Sequence, residues 1–335
     1  MTSRIGLAVF GLGSIGNIHV KNILTSPRAS LKWIVRNKLE EAEKFVKAYD
    51  ISARCATPAQ INDVIDDPSV RGVLICSPST SHEEIIAASL KGGKTVLCEK
   101  PITTEVSSTQ ACYDLAEKQG CHLLCAFHRR FDPSFRALHE RVVSGSLGPL
   151  RMVRTSSRDY TPPTADYIKT SGGIFIDTVI HDLDITSWVV GSRPRLVFSR
   201  GHAFSDQFAK HGDVDVQVTT VHFENGVIAI LDNVRQSLYG YDQRFEAVCE
   251  EGMLTVDNPT LNSLSEHGPR VTATPRTGQS YLTRYPQAYA NEMEHFLDVL
   301  EGKAAPLITK DETLQAMRLA EACKQSCQSG QPLVV

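Results

Sequence analysis

Residues 9–19 read VFGLGSIGNIH, and this stretch decides the fold of the first part of the chain. Gly11, Gly13 and Gly16 form a G-x-G-x-x-G spacing directly after an apolar strand, IGLAVF (5–10), and at the start of a helical segment, IGNIHVKNIL (15–24). A diphosphate needs close approach to bare backbone and to the free N–H groups of a helix start, which a Cβ at the first two glycines would block. The stretch therefore predicts a dinucleotide site built from Gly11, Gly13, Ser14, Ile15 and Gly16.

On either side of this stretch, residues 1–125 alternate apolar strands with helices. The strands are expected at 5–10, 31–35, 72–77, 95–99 and 122–127, and the helices at 15–24, 39–49, 81–93 and 105–120. Unbroken apolar strands are typical of a parallel sheet buried on both faces. A βαβ series of this kind predicts a doubly wound α/β domain.

From about residue 150 the pattern changes to longer strands that alternate apolar and polar residues. They are expected at 150–158, 195–203, 215–223, 227–236 and 244–252, with a hairpin turn at 224–226 and two final helices at 285–302 and 310–330. Such half-buried strands are typical of antiparallel sheets. Since 335 residues exceed one ordinary core, we predict a domain at 1–125 and another at 126–335, with the last helix able to pack back on the first domain.

Composition excludes several classes of function. The net charge is −3, with no basic block for nucleic acid and no run of 18 apolar residues for a membrane. The start of the chain leads straight into a strand without a signal-peptide pattern, so a cytoplasmic protein is expected. We expect no disulfides among the nine cysteines. We also expect no metal site, because Cys121 and Cys125 lie at a predicted strand and no nearby His or Cys completes the helical pair Cys323 and Cys327.

The end of the second strand bears on the choice of cofactor. NAD-binding proteins usually place an Asp or Glu there for the ribose 2′-hydroxyl, whereas this chain has Arg36 with Lys38 close by. Cations at this place can neutralise a 2′-phosphate, which favours NADP(H) over NAD(H). The alternative is that Arg36 is a solvated residue and that NAD binds through other contacts.

A second segment that carries ionisable side chains is SGGIFIDTVIHDLDITSW (171–188). Asp177, His181, Asp184 and Trp188 recur at helical spacing and predict one polar stripe beside an apolar one. The stripe can line a cleft; alternatively, Asp177 favours the helix dipole and His181 is a buried, satisfied core residue.

Six motifs follow one another along the chain: GLGSIGNIH, CSPSTSHEEII, CEKPIT, FHRRFDPSF, GGIFIDTVIHDLDITSW and YGYDQRFEAVCEEG. In this order they resemble the Gfo/Idh/MocA oxidoreductases, the family of glucose-fructose oxidoreductase, inositol dehydrogenase and the rhizopine catabolism protein. The inositol 2-dehydrogenase branch is the most similar. The resemblance implies an N-terminal Rossmann domain, a C-terminal α+β domain on an open, mostly antiparallel sheet, and a homo-oligomer, a dimer or a tetramer.

The resemblance also implies roles for individual residues. Lys100, Asp177 and His181 would carry the hydroxyl proton while hydride leaves for the nicotinamide. Further contacts to the cofactor would come from Ser77, Pro78, His82, Glu99 and Lys100, and contacts to substrate from His128, Arg129, Asp184 and Tyr239. His128 stands where the family often has Asn or Met, which leaves the substrate open, and Arg130, Asp182 and Tyr241 can equally be structural.

The expected activity is the NAD(P)-dependent oxidation of a secondary hydroxyl of a cyclic polyol or sugar, with myo-inositol as the first candidate. Alternatives are a pyranose 1-dehydrogenase, an NAD-dependent glycosidase of the same fold, and a non-catalytic nucleotide-binding regulator. Regulators of this fold tend to lose the catalytic residues, which this chain retains.

Overall fold

A computed structural model describes residues 4–270 and 272–335. The chain forms two compact units: the first runs to Phe131 and takes in Gln287–Leu314, and the second comprises Asp132–Pro286 and Gln315–Val335. The first unit thus ends later than the predicted residue 125 and recruits a later segment. It does so because the apolar face of that segment, including Met293, Phe296 and Leu297, belongs to its core.

The strands alternate with helices in the first unit and dominate the second. They are β1 (Ile5–Phe10), β2 (Ala29–Val35), β3 (Arg54–Ala56), β4 (Gly72–Ile75), β5 (Thr95–Glu99), β6 (Leu123–Ala126), β7 (Leu150–Arg158), β8 (Pro194–His202), β9 (Val216–Phe223), β10 (Ile228–Val234), β11 (Asp242–Cys249), β12 (Met253–Val256), β13 (Glu266–His267), β14 (Thr272–Ala273) and β15 (Leu333–Val334).

The helices follow the same order. They are α1 (Ser14–Thr25), α2 (Leu39–Ala48), α3 (Ile61–Ile65), α4 (His82–Lys91), α5 (Val106–Gln119), α6 (Pro133–Val143), α7 (Ala165–Thr170), α8 (Ile180–Val190), α9 (Asp206–Ala209), α10 (Tyr281–Arg284), α11 (Pro286–Leu300) and α12 (Lys310–Ser329). Short 3₁₀ turns cover Pro58–Gln60, Ser79–Ser81 and His128–Phe131, and a π-helical turn, Phe175–Val179, precedes α8.

The sheet of the first unit has six strands in the order β3-β2-β1-β4-β5-β6. Its pairings are parallel, and the strands β1, β4 and β6 are buried along their whole length. The strand order reverses between β1 and β4, and doubly wound sheets bind ligands beyond the carboxyl ends of the strands at that point. The predicted Rossmann fold is confirmed.

The sheet of the second unit has seven strands in the order β12-β11-β7-β10-β9-β8-β15. Strands β7 and β10 run parallel, and the other neighbours are antiparallel, so the predicted mostly antiparallel sheet is confirmed. Burial alternates along its strands. In β10, Ala229, Leu231 and Asn233 are fully buried, while Ile228, the first residue of the strand, is exposed. One face of this sheet therefore lies in a core, and the other carries partly exposed side chains.

Candidate active site

The glycine-rich loop joins β1 to α1 in the first unit. Gly11 has φ +94°, which favours glycine, and a Cβ there would come within 2.6 Å of the backbone of Cys76. This glycine is therefore required by the fold itself, since the loop passes directly against the strand-end segment of β4.

Gly13 differs, because nothing within the chain explains it. Apart from its chain neighbours and the backbone of its own helix, no described atom lies within 4 Å of the position that a Cβ on Gly13 would take. Gly13 is the N-cap of α1, whose first turn has no acidic residue and no side-chain cap, so its N–H groups are available to an anion. An open glycine before an uncapped helix start, followed by Ser14, Ile15 and the buried Gly16, fits the diphosphate of a dinucleotide.

The carboxyl ends of β4 and β5 are joined by a buried histidine. His82 is 1% exposed, and its ring nitrogens lie 2.9 Å from the carbonyl oxygen of Pro101 and 2.8 Å from that of Ser77. Ser77 Oγ lies 2.7 Å from Ser81 Oγ, and Pro78 begins the short turn between them. The structure therefore gives His82 a positioning role, since it fixes the two loops rather than presenting a free nitrogen.

Glu99 and Lys100 follow at the end of β5. Nε2 of His19, which is 1% exposed, lies 3.2 Å from Oε1 of Glu99, while Lys100 is half-buried and precedes Pro101 through a cis peptide bond. Glu99 and Lys100 thus lie at the sheet edge where ligands bind in doubly wound folds.

The segment after β6 carries the predicted His128 and Arg129, which are 5% and 4% exposed. The ring of His128 stacks on that of Tyr289 with centroids 4.6 Å apart. Arg130 is 1% exposed, and its Nη1 lies 2.6 Å from Oε1 of Glu312. Arg130 therefore has a structural ion pair within the first unit.

Arg36 lies beside the glycine-rich loop, as predicted, but it has a partner that the sequence interpretation did not include. Its Nη1 donates a hydrogen bond to the carbonyl oxygen of Leu12 at 3.1 Å, and its Nη2 forms an ion pair with Glu41. Lys38 Nζ lies 3.2 Å from the same carboxylate. The end of β2 thus carries two cations and a carboxylate.

In the second unit, the predicted catalytic segment is not a uniform α-helix. Phe175–Val179 forms a π-helical turn that contains Asp177, and α8 then begins at Ile180. Single π-turns within α-helices are frequent at functional sites because the extra residue redirects the side chains around it. Asp177 and the half-buried His181 flank the junction.

Both carboxylate oxygens of Asp177 have partners within the second unit. Arg235 Nη1 lies 2.7 Å from Oδ2, and the Tyr167 hydroxyl donates to Oδ1 at 2.7 Å. The Arg235 side chain is 2% exposed, so this is a buried, charge-assisted pair. The pair orients the Asp177 carboxylate and favours its ionised form.

The charges around Arg235 act on its neighbours as well. Burial alone would lower the pKa of the Arg235 guanidinium, but Asp177, followed by Asp159 and Asp213, raises it. Burial, and then the Asp177 carboxylate, raise the pKa of the Tyr167 phenol. Tyr167 therefore remains a hydrogen-bond donor and Arg235 a cation at neutral pH.

The remaining predicted residues of this helix are more deeply buried than a polar cleft stripe implies. Asp184 and Asp182 are each 1% exposed, and Asn233 Nδ2 donates to Oδ2 of Asp182 at 2.6 Å. Trp188 stacks on His139 with ring centroids 3.8 Å apart. Asp182 is thus a structural link between α8 and β10.

Tyr239 lies in the loop between β10 and β11 and is 57% exposed. Its hydroxyl donates to Asp242 at 2.6 Å and accepts a hydrogen bond from Arg158 at 2.9 Å. Tyr239 therefore belongs to a polar cluster at the ends of β7 and β11, and its predicted substrate contact stays a prediction.

Sequence reasoning missed Arg235 and Tyr167. A signal for Arg235 was present, because the buried positions of β10 alternate as Ala229, Leu231 and Asn233, and Arg235 is the next in that series. A cation that continues a buried alternation needs a buried anion. Tyr167 lies on the short helix α7 and had no comparable signal.

Two kinds of site are absent from the part of the chain that the structure describes. Its His, Cys, Asp and Glu residues form no group of three that could hold a metal ion. None of its helices combines the length and the apolar character needed to cross a bilayer.

Known proteins resemble this chain along its whole length. Residues 5–127 match the oxidoreductase family with an NAD-binding Rossmann fold, and residues 135–255 match the GFO/IDH/MocA C-terminal domain. The chain is 33% identical over 327 residues to the myo-inositol 2-dehydrogenase of Thermotoga maritima, covering 96% of each protein.

Solved structures agree with these matches. A myo-inositol dehydrogenase from Corynebacterium glutamicum superposes with a TM-score of 0.93 at 31% identity over 99% of both chains. A scyllo-inositol dehydrogenase from Lactobacillus casei with bound NAD(H) and scyllo-inositol superposes with a TM-score of 0.91 at 26% identity, again over 99% of both chains. The predicted family is confirmed: the chain belongs to the Gfo/Idh/MocA oxidoreductases, and its first unit is their NAD-binding Rossmann domain.

Proposed function

We propose that this oxidoreductase oxidises a secondary hydroxyl of a cyclic polyol, with myo-inositol as the first candidate substrate. Full-length similarity to proteins named as inositol dehydrogenases supports this substrate class. The observation that carries the proposal is the Asp177 carboxylate, held at both oxygens by Arg235 and Tyr167, four residues before His181. A fixed carboxylate four residues before a histidine supports proton transfer from an alcohol, because an imidazole can accept the proton and a carboxylate can stabilise the charge that forms.

The cofactor would be held by the first unit. Its diphosphate would lie against Gly11, Gly13 and the residues Ser14–Gly16, with further contacts from Ser77 and Pro78 and from the end of β2. When bound, NAD⁺ or NADP⁺ accepts the hydride from the carbinol carbon.

The protein's own residues would handle the proton. Lys100 would hold the reacting oxygen, and His181 would accept the hydroxyl proton as the C–H electron pair leaves with the hydride, which converts the alcohol to a ketone. Asp177 would orient this pair and stabilise its charged form. We further propose that His128, Arg129, Asp184 and Tyr239 bind the other hydroxyls of the substrate.

The test is a cofactor-reduction assay over inositols and pyranose sugars with NAD⁺ and NADP⁺, monitored by absorbance of the reduced nicotinamide. Lys100→Ala and His181→Ala should each lower kcat by about 10²- to 10⁴-fold, because each removes a proton-transfer partner. His222→Ala, on the second unit's β9, is the matched control and should retain activity.

Three outcomes would contradict the assignment. Wild-type kcat in both variants would remove these residues from the chemistry. Glycoside cleavage without net cofactor reduction would indicate a glycosidase instead, and no turnover on any alcohol or sugar would favour the regulator.

We also propose that the chain forms a homo-oligomer, a dimer or a tetramer, through the partly exposed face of the second unit's sheet. That face carries Val218, which is 45% exposed, and Ile228, which is 39% exposed, and apolar side chains on an open sheet face favour association. We propose in addition that the protein works in the cytoplasm. All nine cysteines are free, as in proteins of reducing compartments.

Cell fractionation should recover the wild-type protein in the cytosolic fraction. Sedimentation velocity should then give the protein more than the mass of one chain. Val218→Lys should lower that mass, whereas Leu264→Lys, on a loop and 78% exposed, should not. A wild-type protein that sediments as a single chain at micromolar concentration would contradict the proposal.

A further inference from the structure

The carboxylate of Glu41 lies at the place where Rossmann proteins discriminate between NAD(H) and NADP(H). Glu41 is in the first turn of α2, directly after β2, and it forms ion pairs with Arg36 and Lys38. An acidic residue at the end of the second strand accepts the ribose 2′-hydroxyl of NAD, whereas an arginine accommodates the 2′-phosphate of NADP. Here both kinds of residue are present, and they form an ion pair with each other.

Arg36 is held next to the cofactor cradle. Its Nη1 donates to the carbonyl oxygen of Leu12, which lies between Gly11 and Gly13, while its other terminal nitrogen is used by Glu41. The guanidinium is thus fixed between the glycine-rich loop and α2. A 2′-phosphate could bind it only in competition with Glu41.

The balance of charge at this edge depends on Glu41. The hydrogen bond from Lys38 is the largest cause that lowers the pKa of the Glu41 carboxyl; desolvation opposes it, and the charges of Arg36, Lys38 and Lys44 lower the pKa further, so Glu41 is ionised at neutral pH. A phosphate monoester adds about −1.5 to −2 charges at pH 7, and like charges so close repel each other. The 2′-hydroxyl of NAD(H) brings no such charge.

We propose that Glu41 is a specificity-determining residue that holds this site to NAD(H) by competing with a 2′-phosphate for Arg36. This reverses the preference that Arg36 and Lys38 indicate when they are considered without their partner. The inference rests on the proposed function only in that the first unit binds a nicotinamide dinucleotide.

The test is direct binding of NADH and NADPH, measured by their fluorescence, to the full-length protein. Wild-type protein should bind NADH more tightly than NADPH. Glu41→Gln should increase the affinity for NADPH by about tenfold and change the affinity for NADH by less than about twofold, because it frees the Arg36 guanidinium at a partly exposed site. The gain should weaken with added salt.

Two further variants show whether the gain runs through this pair. Glu40→Gln removes a neighbouring exposed charge from the same helical turn and should leave both affinities unchanged. Arg36→Gln combined with Glu41→Gln should lose the tenfold gain for NADPH.

The results separate the inference from the proposed function. Binding of both cofactors with the same ratio in wild type and Glu41→Gln, or tighter binding of NADPH by the wild type, would overturn the role of Glu41 alone. If neither cofactor binds to the wild type, the proposed function fails and the inference fails with it.

Discussion

Arg235→Met is expected to lower the free energy of unfolding by about 3–5 kcal/mol, the usual cost of removing one partner from a buried ion pair. The Arg235 side chain is 2% exposed and the Asp177 side chain 10% exposed, so little water can reach Oδ2 of Asp177 to replace the guanidinium. Asp213, whose Oδ2 lies 3.9 Å from Arg235 Nη2, would lose the same cation. Chemical denaturation of the purified variant measures the loss.

A more exposed pair on the same sheet provides the control. Arg158 lies 2.8 Å from Asp232, with side chains 28% and 16% exposed, and Arg158→Met should cost only about 1 kcal/mol because solvent screens the charges that remain. The double variant of Asp177→Asn with Arg235→Met should recover much of the lost stability, since no unpaired charge is left between these two residues.

The same variant separates positioning from stability. Without its cation, Asp177 takes up a proton more readily, so the acidic limb of the pH profile of kcat/KM should move to higher pH in Arg235→Met. Arg235→Lys should restore part of the original profile. Equal stability losses in Arg235→Met and Arg158→Met, with an unchanged pH profile, would show that Arg235 does not control Asp177.

The fold of both units could be predicted because burial imposes a period on the sequence. The parallel strands β1, β4 and β5 appear as unbroken apolar runs, and β9 and β10 alternate, so the sequence predicts the sheet type of these five strands. The short strands β3, β12 and β15 are not among the predicted ones. The division of the chain between the two units is harder to predict than the sheet types. Nothing in the periodicity of α11 indicates which sheet its apolar face covers, and the structure places it in the core of the first unit.

The candidate site was predictable only in part. The glycine-rich loop is local, so its spacing is sufficient to identify it. The π-helical turn could not be predicted, because it leaves the composition and the approximate spacing of the segment unchanged. The partners Arg235 and Glu41 are defined by side-chain contacts between elements, which the sequence pattern does not specify. Glu292 is an intermediate case: it lies on the apolar face of α11 with Tyr289, Met293 and Phe296, where a carboxyl group is unusual.

Glu292 leads to the second prediction, in which stability depends on a buried proton. Its side chain is 1% exposed, and neither carboxyl oxygen has a hydrogen-bond partner among the described residues. It lines a cavity of about 10 Å³ whose other walls are mostly apolar, among them Leu97, Phe131 and Ile308. Burial, and then the charge of Glu99, raise the pKa of Glu292 well above its usual range.

The direction of the pH effect follows from proton linkage. The unfolded chain loses this proton near pH 4.3, the ordinary value for glutamate, whereas the folded chain keeps it to higher pH. The folded state therefore binds more protons over this interval, and its stability falls as the pH rises, by about 1.4 kcal/mol per pH unit for one proton. The full contribution is present below the unfolded pKa and is lost as the pH approaches the folded pKa.

Glu292→Gln should remove this dependence, because the amide is neutral in both states and has nearly the same shape as the protonated carboxyl. The variant should gain stability relative to wild type as the pH is raised from about 5 to about 8, with a slope of up to about 1.4 kcal/mol per unit. Denaturant unfolding of both proteins across this range measures the slope, and titrating groups that do not interact with Glu292 cancel in the difference. Glu43→Gln, exposed on α2 of the same unit, should show no such trend. A constant difference between wild type and Glu292→Gln at every pH would mean that Glu292 ionises alike in both states, which would contradict the prediction.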